Sequence, residues 1–192
     1  MKSISENKRI ARTAGLWYLM VAVFSMYSIL SGVQDMSVIV AGMLGQTAFL
    51  LTVLYLYKLF TQVDEHISKI MVAFVLVSIP ITFSGLVFKA GAYASGRPEY
   101  LEIYDMVNTI VLIFWGLWLL PFAYLVYKSN FIPKIFAVLL ALGGTCYCIS
   151  CVMSLLSPEL YAAAGSVLLA FETLGEIPIL LWLLIKGVSN KA

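Results

Sequence analysis

The sequence predicts an all-α polytopic membrane protein, a bundle of six transmembrane helices with both termini on the cytoplasmic side. Three observations predict it. Of the 192 residues, 62% are hydrophobic and 11% charged, against roughly 45–50% and 25% in soluble domains. Six apolar stretches reach the roughly 20 residues that cross a hydrocarbon core of about 30 Å. The basic residues alternate between the two sides of those stretches: Lys2, Lys8, Arg9, Arg12, Lys58, Lys69, Lys128, Lys134, Lys186 and Lys191 fall on one side, Lys89 and Arg97 on the other. An excess of Lys and Arg marks the cytoplasmic face. The net charge of +2 is too small and too scattered to imply a nucleic-acid partner. No Pro/Gly/Ser-rich linker divides the chain, so residues 1–192 read as one domain.

The first span is expected over 13–32. Lys8, Arg9 and Arg12 before it resemble the start of a signal peptide, but the apolar run is long and no small-x-small cleavage site follows, which predicts a retained helix. The second, 37–60, can be capped by Asp35 or Ser37 and carries Ala41, Gly42 and Gly45 as a close-packing surface. The third, 69–92, follows Asp64 as N-cap and contains Pro80. Gly96, Arg97 and Pro98 form a turn, after which a helix from Glu99 leads into the fourth span, 106–127, broken or bent at Pro121. Asn130 and Pro133 bracket a short connection to the fifth, 135–156, with Gly143 and Gly144. Ser157 and Pro158 turn the chain into a helical stretch from Glu159 that becomes the sixth span, 166–188. Trp17, Tyr18, Tyr55, Tyr57, Tyr124, Tyr127 and Trp182 form an inner aromatic belt, and Tyr27, Tyr93, Tyr100, Tyr104 and Tyr161 an outer one.

A weak internal repeat relates Tyr55, Tyr57, Lys58 and Lys69 to Tyr124, Tyr127, Lys128 and Lys134. Read as a parallel repeat it suggests a transporter; the plainer reading is that both turns obey the positive-inside rule.

The sixth span carries the main chemical signal. Glu172 and Glu176 are four residues apart and share a helix face. A charged side chain at the bilayer centre costs roughly 2.5–3.5 kcal/mol on insertion scales, so both must face the bundle or a wet cavity. Pro178 nearby leaves the carbonyl of Leu174 without its usual partner. Two such carboxylates make a proton or cation site natural; the alternative is that they hydrogen-bond to Gln46, Thr145 or a tyrosine and fix helix register. Lys89 either snorkels to the interface or pairs with Glu172. Trp115 and Trp118, near the centre of the fourth span, either line a ligand cavity or pack in the core. Cys146, Cys148 and Cys151 do not share one face and read as small packing residues, and His66 is a lone loop histidine. No metal site follows from either, and no cofactor or catalytic fingerprint is present.

Three landmarks resemble a bacterial multi-pass membrane family, domain of unknown function 4386. These are Arg12-Thr13-Ala14-Gly15-Leu16-Trp17-Tyr18-Leu19; then Ser129-Asn130-Phe131-Ile132-Pro133-Lys134-Ile135 leading through Leu139-Leu140 to Gly143-Gly144 and Tyr147; and Gly175-Glu176 followed by Trp182-Leu183-Leu184-Ile185-Lys186-Gly187-Val188. Asn130 and Ala137 depart from the family's glycine-favouring pattern, which should alter a turn and a helix contact. The resemblance implies an integral membrane protein and no established activity; of the two acids, only Glu176 falls on a family-like motif. The sequence therefore leaves three readings: a small transporter or proton/cation-coupled carrier, a non-catalytic lipid-binding or partner-assembling module, and, with least support, a membrane enzyme acting on a lipid or quinone. Membrane lipids and a small-molecule or proton ligand are the expected partners, the bacterial cytoplasmic membrane is the expected location, and a homo-oligomer stays open.

Overall fold

The computed structural model describes residues 3–30 and 34–189. Its six helices are α1 (Ile4–Leu30), α2 (Met36–Phe60), α3 (Glu65–Ser95), α4 (Glu99–Ser129), α5 (Lys134–Leu156) and α6 (Pro158–Ile185). Each is long and apolar enough to cross a membrane, and no strand occurs among the described residues. This is a multi-pass membrane architecture. The expected first-span end at Gly32, and Lys2 and Lys191 of the charge count, lie outside the described residues.

Local sequence explains where the helices begin and end. Asp35 caps α2 by accepting from the Ser37 N–H at 2.7 Å, and Asp64 caps α3 by accepting from the Ile67 N–H at 3.2 Å; each satisfies a donor that the helix leaves open. Asn130 ends α4 at φ 57, a left-handed conformation that asparagine tolerates better than most residues other than glycine. The sixth span is expected to reach 188, but α6 stops at Ile185. Gly187 turns out of the helix at φ 73, and its N–H reaches the Trp182 carbonyl at 2.9 Å. Helix α4 runs unbroken through Pro121.

Each helix packs against the next in sequence, and α6 returns to α1, so the six close into a ring. Trp118 of α4 fills its interior. Its ring meets Tyr18 of α1 edge-on at 5.9 Å, Phe49 of α2 edge-on at 5.1 Å and stacks on Phe122 at 5.5 Å. At the end where α1 begins and α6 ends, Phe60 stacks on Phe131 at 5.7 Å, tying the α2–α3 turn to the α4–α5 turn. In lipid the hydrophobic effect does not favour helix association, so such close van der Waals contacts carry the packing.

Two adjacent glycines let α5 approach a helix on either side. A Cβ on Gly144 would lie 2.8 Å from the Gly116 carbonyl oxygen of α4, and one on Gly143 would lie 3.0 Å from the Gly175 Cα of α6. Neighbouring positions on a helix point about 100° apart, so consecutive glycines serve two different partners. The Gly143–Gly175 contact brings the α5 and α6 backbones together beside the two glutamates.

Candidate functional site

From that contact, one or two turns along α5 present Tyr147 and Ser150, and the facing turns of antiparallel α6 present Glu172 and Glu176. The Tyr147 hydroxyl donates to Glu176 Oε1 at 2.8 Å. The second carboxylate oxygen, Oε2, accepts from the hydroxyl of Tyr18 on α1. Glu176 is therefore held from both sides of α6, by a helix adjacent in sequence and by the one that closes the ring. Ser150 Oγ donates to Glu172 Oε1 at 2.6 Å. The two acids have separate hydroxyl partners, although they sit one helical turn apart.

Aromatic packing holds the two tyrosines in place. Tyr18 is 3% exposed with its ring edge-on to Trp118, and Tyr147 meets Trp115 edge-on at 6.4 Å. The ring contacts orient the hydroxyls, and the hydroxyls satisfy a carboxyl that would be costly to leave unpaired in an apolar interior. A carboxylate only accepts hydrogen bonds, whereas a tyrosine hydroxyl both donates and accepts. The cluster can therefore hold an ionised glutamate with both tyrosines donating. It can also hold a protonated one, whose carbonyl oxygen accepts from one tyrosine while its O–H donates to the other.

The residues singled out from sequence fall into two sets. Glu172 and Glu176 share the α5–α6 seam, with Trp115 and Trp118 behind the tyrosines that touch Glu176. Gln46, Lys89 and Thr145 are bonded elsewhere or not at all. Gln46 is buried on α2 with its Oε1 lacking a partner. Thr145 is exposed on α5 and donates to the Ala141 carbonyl of its own helix at 2.8 Å. Lys89 is buried and forms no ion pair with Glu172; its side chain instead runs toward the end of α1 and Tyr104 of the outer aromatic belt, the direction a snorkelling lysine takes. Its ammonium donates to the Ser28 carbonyl at 3.0 Å, lies 3.4 Å from the Tyr104 hydroxyl and sits 4.5 Å from the centre of that ring.

Sequence reasoning missed Tyr18, Tyr147 and Ser150 as members of the site. For α5 a signal existed: Tyr147 lies in mid-span, away from either aromatic belt, and Ser150 is three residues on along the same face. Tyr18 gave no comparable signal, since its distance from the start of the first span suits an interfacial tyrosine.

Residues 36–187 match the model of a family described as a domain of unknown function (DUF4386). The chain belongs to this family. The match runs from the start of α2 to just beyond α6 and includes Tyr147, Ser150, Glu172 and Glu176. Tyr18, and with it the whole landmark at 12–19, precedes the matched region. No curated protein and no solved structure matches the chain.

Proposed function

We propose that this protein is a small proton-coupled carrier of a bacterial cytoplasmic membrane, with both termini on the cytoplasmic side and Glu176 as the group that exchanges the proton. The observation that carries this reading is the clamp on Glu176: one carboxyl, met by hydroxyls from two different helices. Ionisable groups inside membranes are costly and are a recurrent feature of proton relays. Loading a proton on Glu176 reverses one of its two hydrogen bonds. The tyrosine that had donated must then send its own O–H elsewhere, which alters the link between α6 and α1 or α5. Protonation is thereby coupled to the closure of the helix ring, the kind of linkage a carrier needs. Pro80, Pro121 and Pro178 lie inside continuous helices, where each removes one backbone donor and frees a carbonyl of the preceding turn; Pro178 does so within one turn of Glu176. The charge asymmetry of the connections supports the orientation.

A non-catalytic module is the second reading, favoured by the way the Tyr18, Tyr147 and Ser150 hydroxyls tie α6 to α1 and α5, contacts that also serve to fix helix register. An enzymatic use of the acid pair has less support, because the side chains that reach the two carboxyls are hydroxyls that satisfy them by hydrogen bonds.

A pH jump followed by infrared difference spectroscopy on the reconstituted protein separates the first two. A carrier of this kind gives a carboxyl C=O band that changes with pH and disappears in Glu176→Gln, accompanied by a tyrosine ring band that disappears in Tyr147→Phe. A spectrum with no pH-dependent carboxyl band, or with one that persists in Glu176→Gln, removes Glu176 as the exchanging group and leaves the module. For any transported solute, flux in Glu176→Gln must also lose its pH dependence.

A further inference from the structure

A cavity of about 480 Å³ opens where the start of α1 meets the end of α6, lined by Ser5, Lys8, Arg9, Arg12, Thr13, Leu16 and Leu184. We infer that it is a binding site for the phosphate headgroup of an anionic phospholipid. The lining is divided along α1. Three cations and two hydroxyls occupy the polar half, while Leu16, itself half exposed, and Leu184 form an apolar wall. Glu6, the acid nearest in sequence, is not part of that lining. The division falls at the start of the first apolar span, so the cations sit at headgroup level and the leucines at the level of the acyl chains. A free phosphate would use only the first half; a phospholipid uses both.

The α6 end shapes the cationic half. One Arg12 Nη2 hydrogen bond goes to the Ile185 carbonyl at 2.8 Å, which fixes the guanidinium and leaves its other N–H donors for a ligand. Gly187 lets the chain pass close to α1: a Cβ there would lie 3.1 Å from Lys8 Cγ. Basic pockets between transmembrane helices at the membrane surface are a recurrent form of lipid headgroup site. This inference is independent of the role given to Glu176 and of which face of the membrane is cytoplasmic.

The test uses the full chain in nanodiscs of phosphatidylcholine with a minor fraction of phosphatidylglycerol, followed by native mass spectrometry of the lipids that stay bound. Wild type retains phosphatidylglycerol in preference to phosphatidylcholine. In the double variant Lys8→Gln, Arg9→Gln, which leaves Arg12 and its bond to Ile185 in place, that preference falls on the order of tenfold. Circular dichroism confirms that the variant is folded; if it is not, the single variants are measured in its place. Equal retention of the two lipids by wild type, or an undiminished preference in the folded variants, overturns the site. Displacement of the bound lipid by millimolar inorganic phosphate overturns the lipid assignment in favour of a soluble anion.

Discussion

Lys89 and Glu176 are both ionisable side chains set inside apolar helices, and the bundle satisfies them in opposite ways. Lys89 points its ammonium at the Ser28 carbonyl, in the last turn of α1, and at the face of Tyr104. The last four carbonyls of a helix lack intrahelical partners and carry the negative end of its dipole. A cation placed there meets fixed acceptors that cannot reverse. Glu176 instead meets two hydroxyls, each able to donate or accept. The partners of the lysine only accept, whereas the glutamate cluster has a hydrogen-bonded arrangement for each of two states of charge. If Glu176 exchanges a proton as proposed, it is the reversibility of its partners, and not its burial, that sets it apart from Lys89.

The sharpest way to break this contrast is to delete each side chain. Glu176→Ala leaves the Tyr18 and Tyr147 hydroxyls without their acceptor and opens a gap between three helices. We expect a loss of about 2–4 kcal/mol, from two unsatisfied polar groups and the cavity together. Lys89→Met removes a carbonyl contact and a cation–π contact, but it also relieves the cost of holding an ammonium in an apolar setting. The expected net loss is about 1 kcal/mol. Guanidinium or thermal unfolding in micelles measures both. A Lys89→Met loss equal to that of Glu176→Ala would mean that the two sites are pins of the same kind.

A finer test removes the hydroxyls singly and together. Tyr18→Phe and Tyr147→Phe keep the rings that pack on Trp118 and Trp115 and remove only the donors. Interhelical hydrogen bonds in membranes average about 0.6 kcal/mol and reach about 1.7, so each variant should fall in that range. Because the two hydroxyls share one carboxyl, the double variant should deviate from additivity by at least about 0.5 kcal/mol. Strict additivity would mean that the two tyrosines do not communicate through Glu176.

What the sequence discloses, and what it hides, follows the same division. Helix number and several helix starts rest on local rules, so Asp64 and the Gly96–Pro98 turn could be read directly from residue type and order, and Asp35 was one of two caps open for α2. The acid pair was equally legible, because a carboxyl in an apolar run is conspicuous whatever surrounds it. Its partners were not. Tyr18 lies 158 residues from Glu176 in sequence and reaches it only because α6 closes onto α1, and no periodicity within either helix encodes that closure. For Lys89 the direction of the side chain could be anticipated but not its acceptor, the Ser28 carbonyl at a helix end, because backbone acceptors are invisible in a pattern of side chains.

The smallest effect belongs to a third ionisable group, Asp64, which lies outside the spans and serves as a control on any pH response attributed to Glu176. Its carboxylate accepts from Lys128 at 3.0 Å and from the Ile67 N–H at 3.2 Å. The Lys128 hydrogen bond, and after it the backbone one, hold its pKa below the usual aspartate value. A depressed carboxyl contributes stability above its unfolded pKa of about 3.9, and that contribution is lost as pH falls through the folded value. Asparagine caps a helix as well as aspartate does, so Asp64→Asn removes the charge and keeps the cap. Wild type should therefore unfold at a higher temperature than Asp64→Asn at neutral pH, by a constant margin that shrinks and closes as the pH falls below the aspartate range. A margin that widens on acidification would reverse the sign of the linkage. One that changes only around neutral pH would instead reflect another group, and the contrast between Glu176 and Lys89 would need to be remeasured in the Asp64→Asn background.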